Sequence, residues 1–226
     1  MTDLPGIDEL PGTDELPGTD EPTGAPSLAD AIAVVDWRRQ VQALYAEVRG
    51  LTAAGRVEEA HARWRSVRDR LFGSHPASPV PDRGGFAGLP TAPYDSAWRL
   101  SADMEKGDGH RIVVTTGTDG DVEFVRVGTV DLDRVGRLDV WWHAGYGGGL
   151  FLPVRDALAG SRTYGGGRYL LDTAKGADLG SEGTRIVLDF NFAYNPSCAY
   201  DPMWACPLAQ PGNVTDVEIP VGELMP

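Results

Sequence analysis

The spacing of apolar residues changes along this chain, and that change limits the folds it can adopt. Between residues 27 and 73, apolar side chains recur every three or four positions, which is the period of an amphipathic helix. From residue 97 onward they alternate with polar side chains, as in strands with one buried face. The pattern therefore predicts a helical segment followed by a mainly β domain.

Two helices are predicted in the first segment. Ser27 and Asp30 form a capping-box pattern at the start of the first helix, which ends near Gly50. The second helix closes at Gly73, because glycine tolerates the left-handed backbone of a C-cap. We expect an α-helical hairpin. The arginines of the second helix alternate with acidic residues and are expected on a solvated face (Arg56, Arg63, Arg65, Arg68 and Arg70).

Seven or eight short strands separated by turn signals are predicted after residue 97. The turn Gly117-Thr118-Asp119-Gly120 joins two of them into a β-hairpin. The other strands are expected at Arg137–His143, Leu150–Val154, Arg168–Asp172, Thr184–Phe190 and Val217–Val221. This arrangement is typical of a single antiparallel β-barrel or β-sandwich.

The composition divides the chain into four parts. Residues 1–26 contain an acidic hexapeptide repeat with Pro and Gly in each copy, which predicts a disordered tail. Residues 27–73 form the helical hairpin, and residues 74–96 form a connector rich in Pro and Gly. Residues 97–226 form the β domain with an ordered loop near its end.

Charge and hydropathy exclude several classes of function. The formal net charge is −13, and an acidic protein disfavours binding to nucleic acid. No apolar run approaches the roughly 18 residues of a membrane helix, and the start of the chain lacks the features of a secretory signal. We therefore expect a soluble, cytoplasmic protein whose two cysteines are thiols.

Residues 189–213 contain an unusual density of aromatic, Pro, Asn and Cys side chains. We expect a strand that leads into a rigid loop in which Asn191, Asn195 and Asp201 form Asx-turns. Such a loop either builds a binding site or simply closes the end of the β domain. Both interpretations remain open from the sequence.

A second dense region contains two glycine triplets around Arg155 and Arg168. The glycines lack the spacing of a nucleotide-binding loop. The two arginines lie near Tyr164 in sequence, and a guanidinium in a tyrosine-lined site holds a carboxylate or phosphate well. The alternative is an internal ion pair, with Asp156 as one candidate partner.

The two cysteines allow several chemistries. Cys198 and Cys206 lack zinc-knuckle spacing, although His143 would complete a three-ligand metal site if it approached them. Cys198 is also a candidate nucleophile with His143 and Asn195, and Asp189 is a candidate base. A disulfide is the remaining possibility, but packed thiols are preferred.

Several motifs together resemble a known family. They are WRSVRDRLFGSHP at Trp64–Pro76, FAGLP at Phe86–Pro90, TYGGGRYL at Thr163–Leu170, DFNFAYNPSCAY at Asp189–Tyr200 and CPL at Cys206–Leu208. In this combination the chain resembles a bacterial and archaeal family known as domain of unknown function 1684. The family pattern has a threonine where this chain has Leu158. The resemblance supplies a map of motifs and implies no reaction.

We predict that the protein binds a small anionic molecule in a pocket between the TYGGGRY segment and the loop after Asp189. An enzyme using Cys198 or Asp189, and an interaction module acting through the hairpin or the tail, are the alternatives. No cofactor or metal is indicated, and nucleic-acid and membrane partners are not expected. The predicted ligand-binding residues are Arg155, Tyr164, Arg168, Asp189, Asn191, Tyr194, Asn195 and Tyr200.

Overall fold

The computed structural model describes residues 26–116, 120–204 and 206–226. The acidic repeat in residues 1–25 and the centre of the predicted hairpin turn at 117–119 lie outside these ranges. Within them the chain forms two helices and then a series of short strands, so the fold is mainly β with a helical start. No helix in the described part is both long enough and apolar enough to span a membrane.

The two helices are α1 (Leu28–Ala53) and α2 (Val57–Ser74). The Ser27 hydroxyl oxygen accepts a hydrogen bond from the backbone N–H of Asp30 at 3.1 Å, as the capping pattern predicts. Gly73 does not end α2, contrary to expectation. It lies inside the helix, where a Cβ would come within 2.9 Å of the Phe86 ring, so the glycine allows the connector to pack closely.

The strands, in chain order, are β1 (Arg99–Ala102), β2 (Glu105–Lys106), β3 (Arg111–Thr116), β4 (Gly120–Leu132), β5 (Gly136–His143), β6 (Gly149–Val154), β7 (Arg168–Asp172), β8 (Ser181–Glu182) and β9 (Arg185–Asp189). All pairings between them are antiparallel. One sheet has the order β1-β9-β8, and the other has the order β2-β4-β5-β6-β7 with β3 also paired to β4. In the described ranges neither sheet closes on itself, so the strands do not form the barrel considered from the sequence.

The two sheets share one apolar core. Ala102 of β1 and Leu188 of β9 are buried together with Val130, Leu138 and Leu152 from the larger sheet. A period of two predicts strands with one buried face, whereas all five residues of β7 are buried. This shared core holds β7 and β9 beside each other, and the loops that follow them begin there.

The segment predicted as a strand at Val217–Val221 is not one. Its backbone carbonyls at Ile219 and Val221 accept hydrogen bonds from the Arg168 guanidinium instead of from a neighbouring strand. The segment continues past Glu223, whose N–H donates to the Ala193 carbonyl at 2.8 Å. A buried side chain therefore replaces the ladder that a strand would need.

The helical hairpin packs against the β domain through a second core. Trp64 and Leu71 of α2 meet Leu89 of the connector, Ala177 after β7 and Phe192 after β9. The packing is dense around Trp64, which is fully buried. Trp37 and Val41 of α1 and Phe72 of α2 line a cavity between the hairpin and the β domain, which contains the candidate site.

Candidate functional site

Arg168 is fully buried at the start of β7. Its Nη2 donates to Asp156 Oδ2 at 2.5 Å and to the Ile219 carbonyl at 2.9 Å. Its Nη1 donates to the carbonyls of Val221 and Glu223. Burial lowers the pKa of Arg168, and the Asp156 carboxylate opposes that effect. Every partner of Arg168 belongs to the protein itself, which matches the internal ion pair considered as the alternative.

Arg155 and Tyr164 lie elsewhere. Arg155 is exposed and its Nε donates to the Gly165 carbonyl at 2.9 Å. The Tyr164 hydroxyl lies 3.6 Å from Cys198 Sγ, and burial followed by the hydrogen bond with this thiol raises the pKa of Tyr164 to about 12. The structure therefore does not bring the two predicted anion-binding arginines together in one cavity.

Asp189 and Asn191 hold the start of the loop that follows β9. Asp189 Oδ1 accepts from the backbone N–H of Asn191 at 3.0 Å and from its Nδ2 at 2.7 Å. Asn191 also bonds the backbone of Asp95, accepting from its N–H and donating to its carbonyl. Burial raises the pKa of Asp189 to about 6. The pair fixes the connector to the loop, and Asn191 forms these distant bonds in place of the Asx-turn expected of it.

Glu223 joins the loop to the helical hairpin. One carboxylate oxygen accepts from Arg68 Nε at 2.6 Å, and the other accepts from the Asn195 N–H at 2.8 Å and the Tyr200 hydroxyl at 3.2 Å. Glu223 is fully buried and Arg68 is 7% exposed. Asn195 Nδ2 donates to the Leu224 carbonyl at 2.8 Å. Like Asn191, Asn195 thus bonds a residue distant in sequence in place of the expected Asx-turn.

Arg68 lines the candidate site and is not among the residues predicted from the sequence. Its guanidinium carbon lies 4.9 Å from the ring centres of Phe72 and Tyr194 and 5.1 Å from that of Trp64. The ion pair with Glu223 raises the pKa of Arg68 against the effect of burial. Arg68 lies four residues after Trp64 on the apolar face of α2, and that spacing was the available signal against a solvated position.

A cavity of about 330 Å³ lies between the helical hairpin and residues 194–197, 204 and 206; we refer to it as the hairpin cavity. That volume is in the range of small-molecule sites. Of the predicted ligand-binding residues, Tyr194 and Asn195 line it, whereas the other six do not. Its aromatic walls are Trp37, Tyr45, Phe72, Tyr169, Tyr194 and Trp204.

Cationic side chains line the hairpin cavity without acidic ones. Arg38, Arg68 and Lys175 contribute to its walls, and no Asp or Glu is present among its described lining residues. Lys175 lies 3.8 Å from Asp172 and is 58% exposed, so its charge is only partly offset. In a chain of net charge −13 the described lining is locally cationic, although the charge of Arg68 is paired with that of Glu223.

The cysteines lie at one edge of the hairpin cavity. Both are free, and Cys206 lines the cavity. A hydrogen bond from Cys198 lowers the pKa of Cys206 to about 6, and the same contact raises the pKa of Cys198. In the described ranges no histidine bonds either thiol and no group of His, Cys, Asp and Glu could hold a metal, so the metal site with His143 is not formed.

His61 provides a pH-dependent contact between α2 and the loop after β9. Its Nε2 lies 3.1 Å from the Asn191 carbonyl oxygen, and the ring is 3% exposed. Burial, followed by the charge of Arg65, lowers the pKa of His61 from 6.5 to about 4. The native state therefore binds this proton less readily than the unfolded chain does.

Acidification from pH 7 to pH 5 is expected to lower the free energy of unfolding by about 2 kcal/mol through His61, since each pKa unit corresponds to about 1.4 kcal/mol. Asp189, whose raised pKa acts in the opposite direction, titrates in the same window. Urea unfolding of the wild type and of His61→Phe at pH 7 and pH 5 separates the contribution of His61 from that of Asp189. The His110→Gln variant, at an exposed position, is the control and should behave as wild type does. If the free energy of unfolding depends on pH equally in His61→Phe and in wild type, the effect does not come from His61.

Two helices packed on two open antiparallel sheets, with an aromatic and cationic cavity at their junction, define a mainly β domain with a helical hairpin. The chain belongs to the family described as protein of unknown function (DUF1684), whose sequence profile matches residues 84–224. The matched range includes Tyr169, Asn195 and Glu223, whereas α1 and α2 precede it.

A solved structure is also similar to this chain. The chain is similar to an uncharacterized protein from gene locus rrnAC0354 of Haloarcula marismortui, determined by solution NMR. The two are 33% identical, with a TM-score of 0.52, and the similarity covers 71% of this chain and 89% of the other. No curated protein matches the chain at a significant level.

Proposed function

We propose that this protein binds a small molecule carrying an anionic group in the hairpin cavity. The observation that carries the proposal is that Arg38, Arg68 and Lys175 line the cavity whereas none of its described lining residues is acidic; Glu223 pairs with Arg68, and Asp172 lies 3.8 Å from Lys175. Cations in a partly enclosed, aromatic site attract an anion more strongly than they would on an open surface, because less water screens them.

The hairpin cavity includes part of the pocket expected from the sequence. Tyr169 belongs to the TYGGGRY segment, and Tyr194 and Asn195 belong to the loop after β9. The helical hairpin supplies the remaining wall and the cations. Arg38 and Arg68 take the role assigned to Arg155 and Arg168, since they are the arginines among the described lining residues. The free thiols fit the cytoplasmic setting that we propose for this activity.

Removing two peripheral cations tests the proposal. We expect the double variant Arg38→Gln, Lys175→Gln to bind small carboxylates and phosphates at least tenfold more weakly than wild type, since tenfold corresponds to about 1.4 kcal/mol. Trp37 and Trp204 line the cavity, so intrinsic fluorescence reports binding directly, and calorimetry measures the affinity. Both substituted residues are exposed, so the fold is expected to survive.

Arg39→Gln is the matched control, because Arg39 is an exposed neighbour on α1 that does not line the cavity. It should bind the same panel as wild type does. If the double variant and wild type bind with equal affinity, or if no member of a panel of metabolite anions binds to wild type, the proposed function is wrong.

A further inference from the structure

The two cysteines of the chain meet at one edge of the hairpin cavity. Pro196, Ser197 and Cys206 all line this cavity, so the two ends of the segment 197–206 lie against the same space. Cys198 comes directly after Ser197, and its thiol is hydrogen-bonded to that of Cys206. Both cysteines are free and partly exposed. Two thiols in hydrogen-bond contact are the arrangement from which a disulfide forms.

Hydrogen bonds hold the backbone at both cysteines. The Tyr200 N–H donates to the Ser197 carbonyl at 3.0 Å, which encloses the first cysteine in a turn. The Tyr169 hydroxyl of β7 donates to the Pro207 carbonyl at 2.7 Å, directly after the second cysteine. The contact between the thiols is therefore supported by the main chain on each side and by a strand of the larger sheet.

The surroundings make the two thiols unequal. The Tyr164 hydroxyl lies 3.6 Å from Cys198 Sγ, on the side away from the second thiol's cavity wall, whereas Cys206 lines the cavity together with Lys175. The hydrogen bond from Cys198 lowers the pKa of Cys206 to about 6, with a further contribution from the charge of Lys175. The same contact raises the pKa of Cys198. At neutral pH the reactive thiolate is therefore Cys206, and not the Cys198 considered from the sequence.

Discussion

Arg168→Ala is expected to lower the free energy of unfolding by roughly 3 to 5 kcal/mol, which is the usual cost of breaking a buried ion pair. The substitution leaves the Asp156 carboxylate buried without its cation. It also leaves the carbonyls of Ile219, Val221 and Glu223 without their donor. Urea denaturation followed by circular dichroism measures the loss.

Arg155→Ala is the matched control for Arg168→Ala. Arg155 is exposed and makes one side-chain hydrogen bond, to the Gly165 carbonyl, so we expect a loss below about 1 kcal/mol. If Arg168→Ala does not fold, Asp156→Asn provides a milder measurement, because it removes the charge and keeps the shape. A loss in Asp156→Asn no larger than that of Arg155→Ala would contradict the structural role of the pair.

Glu223→Ala is expected to be comparably severe, at roughly 3 to 5 kcal/mol. It leaves the Arg68 guanidinium buried among aromatic rings without a counter-charge, and it removes the acceptor of the Asn195 N–H. Thermal and urea unfolding measure the effect. Glu218→Ala, at an exposed position five residues earlier, should change the stability by no more than about 0.5 kcal/mol.

The double variant Arg68→Met, Glu223→Leu distinguishes the loss of an ion pair from the loss of packing. Replacing both charges with apolar side chains of similar size removes the unpaired charge, so it should recover much of the stability that Glu223→Ala loses. It should not recover ligand binding, because Arg68 is absent. A double variant as unstable as Glu223→Ala would show that the charges themselves are not the cause.

Local sequence patterns predict the elements whose stability depends on near neighbours. The helices and the strands β3 to β7 follow from apolar spacing, because each has one buried face with a fixed period. The segment Val217–Val221 has the same alternation but is not a strand. Its partner is the Arg168 side chain, about fifty residues earlier, and no local pattern encodes that contact.

The candidate site shows the same division. Tyr194 and Asn195 line the cavity as predicted from the density of the loop after β9, whereas Arg155 and Arg168 do not. Arg68 is identifiable in retrospect from its position on the face of Trp64. Glu223 gave no signal, since its partner Arg68 lies 155 residues away in the chain. Long-range pairing of single side chains is what the sequence alone does not reveal.

The position of Glu223 also determines when this domain can finish folding. The acceptors that Arg68 and Arg168 require lie between 51 and 155 residues further along the chain. During synthesis both guanidinium groups must remain hydrated until residue 223 has emerged, because burying them earlier would leave unpaired charges in the core. Such non-local contacts give a high contact order and slow folding. We therefore expect the hairpin and the β domain to join in one late, cooperative step.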